Sequence, residues 1–162
     1  MFSDPLQEQA VQVLAAARDK GLKIATAESC TGGLIAGLLT EIPGSSDVFE
    51  RGFVTYSNDA KTALLGVPAS LIRQQGAVSE TVARAMAEGA IRASEARMAI
   101  AVTGIAGPGG GSDEKPVGLV HIAAALAGEP TLHRECRFGD VGRSEVRLKT
   151  VEAALNLLAA RL

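Results

Sequence analysis

Aromatic residues are the scarcest group in this sequence. Among its 162 residues there is no Trp, one Tyr and four Phe, so the aromatic platforms on which single-stranded nucleic acids stack have no counterpart here. A strong positive charge is missing as well, because the formal net charge is −2 and the basic residues are spread along the chain. These absences argue against nucleic acid and anionic membranes as partners and favour a small-molecule ligand.

Long apolar runs and a cysteine framework are also absent. No stretch of about 18 uncharged apolar residues occurs, so we expect no membrane-spanning helix. The first residues, MFSDPLQEQA, lack the basic and apolar regions of a signal peptide. Cys30 and Cys136 are the two cysteines, and we expect both to be reduced in a cytoplasmic protein.

What is present is typical of one globular domain. The chain length suits a single unit with its own core. Hydrophobic residues make up 47% of the sequence and aromatic residues only 3%, so Ala, Leu, Ile and Val must fill that core. Such a composition suits helices packed on a buried sheet.

The spacing of apolar residues predicts helices and strands that alternate, followed by two consecutive strands and a closing helix. The predicted helices cover residues 5–20, 34–42, 58–65, a short segment from 68, 79–96 and a segment from about 143. The predicted strands cover residues 23–27, part of 49–57, 98–102, 117–126 and 131–138. This order predicts an α/β fold, with a mixed β-sheet covered by helices in a single domain.

Glycine-containing loops follow two of the predicted strands, where ligands bind in open α/β sheets. Residues 29–33 offer hydroxyls and backbone amides at a helix N-terminus, a position that favours anions but is equally typical of an ordinary capped helix. The second loop contains GIAGPGGG, residues 104–111. Neither loop matches the lysine-bearing phosphate loop, and no dinucleotide fingerprint follows the first strand.

A serine and a lysine form a possible catalytic pair. A serine hydroxyl needs a base to take its proton, and a desolvated, neutral lysine can be that base. Ser29 follows a predicted strand, and Lys61 lies about one turn into a predicted helix. From residue chemistry alone, Ser29 could equally be a helix cap and Lys61 a solvated surface lysine. Cys30 is a rival nucleophile if a helix N-terminus lowers the pKa of its thiol. The alternative is that Cys30 is a small buried apolar residue.

The histidines and acidic residues do not predict a metal site. His121 and His133 fall within predicted strands without a carboxylate or a second histidine at ligand spacing. We therefore interpret both as packing residues. Asp113 and Glu114 alone make a poor site, so we expect no metal.

Six motifs in a fixed order cover most of the chain. They are AESCTGG (27–33), GSSDVFERGFVTYSNDAK (44–61), LLGV (64–67), GAVSE (76–80), TGIAGPGGG (103–111) and KPVG (115–118). Together they resemble the CinA C-terminal domain family. The resemblance implies an α/β domain that self-associates and hydrolyses nicotinamide mononucleotide to nicotinic acid mononucleotide and ammonia, with no metal or organic cofactor.

The resemblance also implies roles for individual residues. Ser29 is expected to attack the carboxamide, Lys61 to accept its proton, and Tyr56 to relay or orient that proton. Ser46 is a second serine that stays open as nucleophile or hydroxyl relay. The residues expected to bind substrate are Thr31, Gly32, Gly33, Ser46, Thr103, Gly104, Gly107 and Arg143.

Two parts of the substrate need particular partners. Backbone amides at 31–33 or 103–104 are the expected donors to the oxyanion, and Arg143 is the expected partner of the 5′-phosphate. Many relatives have Gly-Asp-Arg where this chain has Gly-Asp-Val-Gly-Arg, residues 139–143, with Arg147 one turn later.

The family name also suggests a different class of function. The alternative is a non-catalytic nucleotide-sensing or interaction module in competence or the DNA-damage response. Full-length CinA proteins carry an additional N-terminal domain that resembles molybdopterin-binding proteins, and functions of that domain are not transferred to this sequence. Intact Ser29, Tyr56 and Lys61 favour the enzyme.

Overall fold

The alternation of helices and strands predicted from the sequence is present in the computed structural model, which describes residues 2–162. The helices are α1 (Asp4–Asp19), α2 (Leu34–Glu41), α3 (Asn58–Leu65), α4 (Ala69–Gln75), α5 (Glu80–Arg92) and α6 (Arg143–Arg161). The strands are β1 (Ile24–Glu28), β2 (Phe49–Val54), β3 (Met98–Gly104), β4 (Leu119–Leu126) and β5 (Leu132–Arg137). A short 3-10 turn, Ser45–Asp47, precedes β2.

The five strands form one mixed sheet in the order β2-β1-β3-β4-β5. Strand β1 pairs in parallel with both β2 and β3. The pairs β3 with β4 and β4 with β5 are antiparallel. The mixed sheet with helices on it confirms the predicted single-domain α/β fold. The carboxyl ends of β1, β2 and β3 consequently meet at one edge of the sheet.

Apolar side chains form a core on each face of the sheet. On one face, residues of α1, α2 and α6, such as Leu14, Leu38 and Leu155, pack together with Ile100 of β3. On the other face, residues of α3, α4 and α5, such as Met86, pack with the small residue Ala99 of the same strand. Every residue of β3 from 98 to 103 is buried, as expected for a strand covered on both sides.

The start and end of α3 follow directly from local sequence. The Ser57 side chain accepts a hydrogen bond of 3.0 Å from the backbone N–H of Ala60, which caps the helix. Gly66 ends it in the left-handed conformation, with φ +66. These two signals fix the helix that carries Lys61.

Three predicted boundaries need correction. Helix α5 ends at Arg92 rather than near 96, because the Ser94 hydroxyl donates to Ala90 O and accepts from Ala96 N, which replaces helical bonds at this end. Strand β3 continues to Gly104, and β4 begins only at Leu119.

Among residues 2–162 no helix is both long and apolar enough to cross a membrane.

Candidate active site

A cavity of about 210 Å³ lies where β1, β2 and β3 end. It is lined by Ser29, Cys30, Tyr56, Asn58, Lys61, Ala77, Val78, Thr103, Gly104, Ala106 and Arg143. A groove of about 270 Å³ between α1 and α6 is larger, but it is lined by residues such as Gln9 and Glu152 and lies away from this edge. The cavity at the strand ends combines a serine, a lysine and an arginine, so we take it as the candidate site.

Ser29 and Lys61 are in direct contact in this cavity. Lys61 Nζ lies 3.0 Å from Ser29 Oγ and 2.8 Å from the backbone oxygen of Thr55. Lys61 is only 1% exposed and Ser29 8% exposed. The backbone N–H of Thr55 donates to Glu28 O at 2.9 Å, which holds the chain that enters α3 against the end of β1.

Burial changes the chemistry of the lysine. Desolvation lowers the pKa of Lys61, and the nearby Cys30 opposes that shift only as a smaller effect. In the neutral amine, one N–H can donate to Thr55 O while the lone pair faces the hydroxyl of Ser29. The arrangement can therefore remove a proton from Ser29.

Cys30 lines the cavity but its environment does not suit a thiolate. Burial raises the pKa of the Cys30 thiol to about 12, and its side chain belongs to the apolar core on the α1, α2 and α6 face. A thiol with that pKa is protonated at neutral pH and is a weak nucleophile. The structure thus argues against the alternative of a thiol amidase.

The turn after β1 is organised differently from the sequence expectation. Thr31 is fully buried, and its hydroxyl donates to Glu28 Oε2 at 2.6 Å. The N–H of Gly33 donates to the same oxygen at 3.1 Å, and the N–H of Gly32 donates to Ser29 O at 3.0 Å. The Thr31 hydroxyl and the N–H groups of Gly32 and Gly33 are therefore used within the turn, and the structure gives no support to their expected contacts with substrate.

Ser46 lies away from the cavity that holds Ser29 and Lys61. It is an exposed residue of the 3-10 turn that precedes β2, whereas Ser29 follows the opposite end of the neighbouring parallel strand β1. The roles of second nucleophile, relay and substrate ligand are not supported for Ser46 within this chain, since the length of a strand separates it from Lys61.

Tyr56 and Arg143 meet at the mouth of the cavity. Tyr56 is 61% exposed, and its hydroxyl accepts a hydrogen bond of 2.9 Å from Arg143 Nη2. Arg143 Nη1 donates to Gly107 O at 2.9 Å. Because the Tyr56 hydroxyl contacts Arg143 rather than Ser29 or Lys61, the geometry does not support the predicted proton relay through Tyr56. Gly107 contributes its carbonyl oxygen as an anchor for Arg143.

Another part of the cavity wall comes from the end of β3 and the segment before α5. The Thr103 hydroxyl donates to Ala77 O at 2.9 Å, and Ala77, Val78 and Gly104 line the cavity. The sequence expectation included Thr103 and Gly104 but missed Asn58, Ala77, Val78 and Ala106. Asn58 belongs to the same motif as Lys61 and lies three positions before it, so helical spacing was a usable signal for it.

The two histidines form a contact that the sequence did not predict. His121 Nδ1 lies 2.9 Å from His133 Nε2 on the adjacent strand, and Glu80 Oε2 lies 3.7 Å from His133 Nδ1. Burial is the main cause that lowers the pKa of both rings. Their interpretation as separate packing residues is therefore incomplete. Within residues 2–162, no group of three or more His, Cys, Asp or Glu side chains is arranged to hold a metal ion.

Comparison with known proteins shows which family, which relative and which solved structure this chain resembles. The model of the family described as "CinA C-terminal domain" matches residues 6–162. Nicotinamide-nucleotide amidohydrolase PncC of Escherichia coli is 49% identical, over 98% of this chain and 95% of that protein. The crystal structure of the competence/damage inducible protein CihA from Agrobacterium tumefaciens has a TM-score of 0.96 and 55% sequence identity, and the match covers 99% of this chain and 97% of that one.

Other relatives are much longer than this sequence. A putative competence-damage inducible protein of Caldicellulosiruptor bescii is 52% identical over 89% of this chain, which corresponds to 34% of that protein. The chain thus spans about a third of the length of such relatives, but nearly the whole length of the Escherichia coli amidohydrolase.

Proposed function

This chain belongs to the CinA C-terminal domain family, and we propose that it hydrolyses the carboxamide of nicotinamide mononucleotide to nicotinic acid mononucleotide and ammonia. The observation that carries the proposal is the 3.0 Å contact between Lys61 Nζ and Ser29 Oγ inside a cavity. The name of the Escherichia coli relative, an amidohydrolase for nicotinamide nucleotides, supports the choice of substrate.

In the first half of the reaction, Ser29 Oγ attacks the carboxamide carbon while its proton passes to Lys61 Nζ. The tetrahedral intermediate then collapses, the carbon–nitrogen bond breaks, and Lys61 returns the proton to the departing nitrogen so that ammonia leaves. The backbone oxygen of Thr55 keeps the Lys61 amine in one orientation throughout. The product of this half is an ester between Ser29 and the pyridine carboxylate.

In the second half, water attacks the ester carbon and gives a proton to Lys61. When the ester bond breaks, that proton returns to Ser29 Oγ and nicotinic acid mononucleotide is released. Both halves need a neutral Lys61 at the moment of attack. Burial supports this requirement because it lowers the pKa of that side chain.

The developing oxyanion needs donors that are free to face the cavity. Since the amides of Gly32 and Gly33 are used within the turn, we propose the side-chain amide of Asn58 together with the backbone N–H of Gly104, both of which line the cavity. Asn58 lies on the same helix as Lys61. A carbonyl oxygen bound there stays close to the attacking hydroxyl.

The nucleotide end of the substrate is proposed to extend to the mouth. The cavity of about 210 Å³ is smaller than the roughly 300–1,000 Å³ that encloses a drug-sized ligand, so it suits the amide-bearing ring. Arg143 is exposed at the mouth, and its two hydrogen bonds go to uncharged oxygens of Tyr56 and Gly107. Its charge is therefore available for a 5′-phosphate.

We further propose that residues 1–162 act as a single amidohydrolase domain in the cytoplasm and that the domain forms homo-oligomers. The pyridine nucleotide substrate supports the compartment, and the family resemblance supports self-association. Size-exclusion chromatography with light scattering tests the oligomer, and a monomer at micromolar concentration contradicts it.

The proposed activity is tested with purified protein and nicotinamide mononucleotide, without added metal, by following ammonia and nicotinic acid mononucleotide. The variants Ser29→Ala and Lys61→Ala are expected to lose turnover, while Cys30→Ala and Ser46→Ala retain it. Folded wild-type protein without turnover contradicts the amidase and favours the sensing or interaction module. Loss of turnover in Ser46→Ala alone moves the nucleophile away from Ser29.

A further inference from the structure

A buried carboxylate lies directly beside the nucleophile and is not explained by the proposed reaction. Glu28 is 1% exposed and is the last residue of β1. Because successive side chains of a strand point to opposite faces, Glu28 points away from the cavity that Ser29 faces. Glu28 is not among the residues that line the cavity, so we place it outside the substrate site.

Glu28 accepts four hydrogen bonds from the turn and from the start of α2. Oε2 accepts from the Thr31 hydroxyl at 2.6 Å, from Gly33 N at 3.1 Å and from Ile35 N at 3.0 Å. Oε1 accepts from Ala36 N at 2.8 Å. A carboxylate is the side chain that can accept from four donors while offering none. Glu28 therefore brings one side-chain donor of the turn and three backbone donors together on a single carboxylate.

The carbonyl groups of the same turn are held from the opposite direction. Arg147 of α6 donates from Nε to Cys30 O at 3.1 Å and from Nη2 to Thr31 O at 3.0 Å. The planar guanidinium can make both bonds at once. The turn is thus fixed between Glu28, which takes its donors, and Arg147, which takes its acceptors.

We propose that Glu28 and Arg147 are positioning residues for Ser29: together they hold the turn after β1 so that Ser29 Oγ stays within reach of Lys61 Nζ. The expected effect on turnover rests on the proposed function. The expected effect on the reactivity of Ser29 does not, because attack by Ser29 on any electrophile depends on the same contact with Lys61.

The variant Glu28→Gln removes this arrangement with almost no change in volume. The amide NH₂ of glutamine would face backbone N–H groups that need an acceptor, so part of the turn is released. A displacement of about 1 Å in a reacting group can lower the rate by about 100-fold. We expect kcat to fall by about that factor, with KM nearly unchanged because Glu28 does not touch substrate.

Arg147→Gln is expected to behave like Glu28→Gln, whereas Arg143→Gln, one turn earlier on the same helix, is the matched comparison. Arg143 faces the mouth of the cavity and its loss is expected to raise KM rather than lower kcat. Thr31→Val removes one of the four bonds to Glu28 and provides a milder variant if Glu28→Gln does not fold. Val13→Ala, in the core on the same face of the sheet, controls for a general loss of stability.

A second readout separates positioning from partial unfolding. A fluorophosphonate probe forms a phosphorus–oxygen bond with Ser29 Oγ, fluoride leaves, and Lys61 accepts the proton. Intact-mass measurements give both the rate of labelling and the fraction of molecules that react, and Ser29→Ala identifies the site. A positioning role predicts full labelling at a rate about 100-fold lower in Glu28→Gln and Arg147→Gln, with an unchanged rate in Val13→Ala.

The proposal is overturned if the probe labels Ser29 in both variants at the wild-type rate. It is overturned as well if only a fraction of the variant molecules reacts but does so at the wild-type rate, because that result indicates partial unfolding alone. It is also overturned if the wild type is not labelled at Ser29. If the wild type is labelled but does not hydrolyse nicotinamide mononucleotide, the proposed substrate is wrong. In that case the labelling rates still decide the roles of Glu28 and Arg147.

Discussion

Lys61 Nζ lies 3.0 Å from Ser29 Oγ, although 32 positions separate the two residues in the chain. Ser29 reaches this point from the end of β1, and Lys61 reaches it from the first turn of α3. The parallel pairing of β1 with β2 brings the two segments to the same edge of the sheet.

Arg143 is predicted to determine affinity for the phosphorylated substrate. Arg143→Gln is expected to raise KM for nicotinamide mononucleotide by about 10- to 100-fold, because a hydrogen bond to a charged group is worth about 1.5–3 kcal/mol. Turnover of free nicotinamide, which has no phosphate, is expected to change little. Steady-state kinetics on both substrates test this, and an equal loss on both contradicts a phosphate contact.

Cys30 is predicted to be dispensable for the chemistry. Its thiol has a pKa raised by burial to about 12, so little thiolate exists at neutral pH. Cys30→Ala is expected to retain kcat within about threefold of the wild type, since transition-state stabilisation is unaffected. Iodoacetamide at pH 7.5 is expected not to alkylate Cys30 and not to change the rate of turnover. Alkylation of Cys30 with loss of turnover contradicts this expectation.

The histidine pair is predicted to make stability depend on pH. Burial lowers the pKa of His121 and His133 in the folded state, so the unfolded chain binds more protons once the pH falls below about 6.5. Stability is therefore expected to decrease with falling pH, and the pair also loses its mutual hydrogen bond when both rings are charged. Glu80 and Glu135 oppose the effect, and Arg84 and Lys115 strengthen it.

The matched variant for that prediction is His133→Gln, which keeps a polar side chain but does not titrate. Urea unfolding at pH 7.5, 6.0 and 5.0 measures the free energy of unfolding for both proteins. The wild type is expected to lose more stability than the variant over this interval. Parallel losses in the two proteins contradict a contribution from the pair.

Gly89 is predicted to be essential for the packing that presents Lys61. A Cβ atom at Gly89 of α5 would collide with the backbone oxygen of Leu65 at the end of α3, so the two helices would have to separate. Overpacking of this kind costs about 1–3 kcal/mol. Gly89→Ala is expected to lower both the melting temperature and turnover. Gly109→Ala, which adds a Cβ with no atom within 4 Å, is the control and is expected to leave the melting temperature unchanged.

Much of the fold could be predicted because its signals are local. The helix at 58–65 has a serine cap before it and a glycine after it, and the structure has the helix at Asn58–Leu65. The apolar run at 98–102 forms part of a strand buried on both faces. Each of these signals lies within a few residues of the element that it predicts.

The site was only partly predictable, because its hydrogen-bond partners are set by tertiary structure. Glu28 has a place in the AESCTGG motif, but nothing in the motif indicates that its carboxylate accepts from the N–H of Gly33, which was expected to face the substrate. The contact of Tyr56 with Arg143 joins residues 87 positions apart. The histidine contact arises from the register of β4 and β5.

The most direct test of the central claim is the pH dependence of kcat/KM for nicotinamide mononucleotide in the wild type and in Lys61→Arg. A lysine that acts as base must be neutral, and burial lowers its pKa, so activity is expected to rise with pH and to reach a plateau below the ordinary lysine value of about 10.4. Arginine stays protonated, so Lys61→Arg is expected to be inactive at every pH. A wild-type profile without this rise, or an active Lys61→Arg variant, contradicts the proposal that neutral Lys61 activates Ser29.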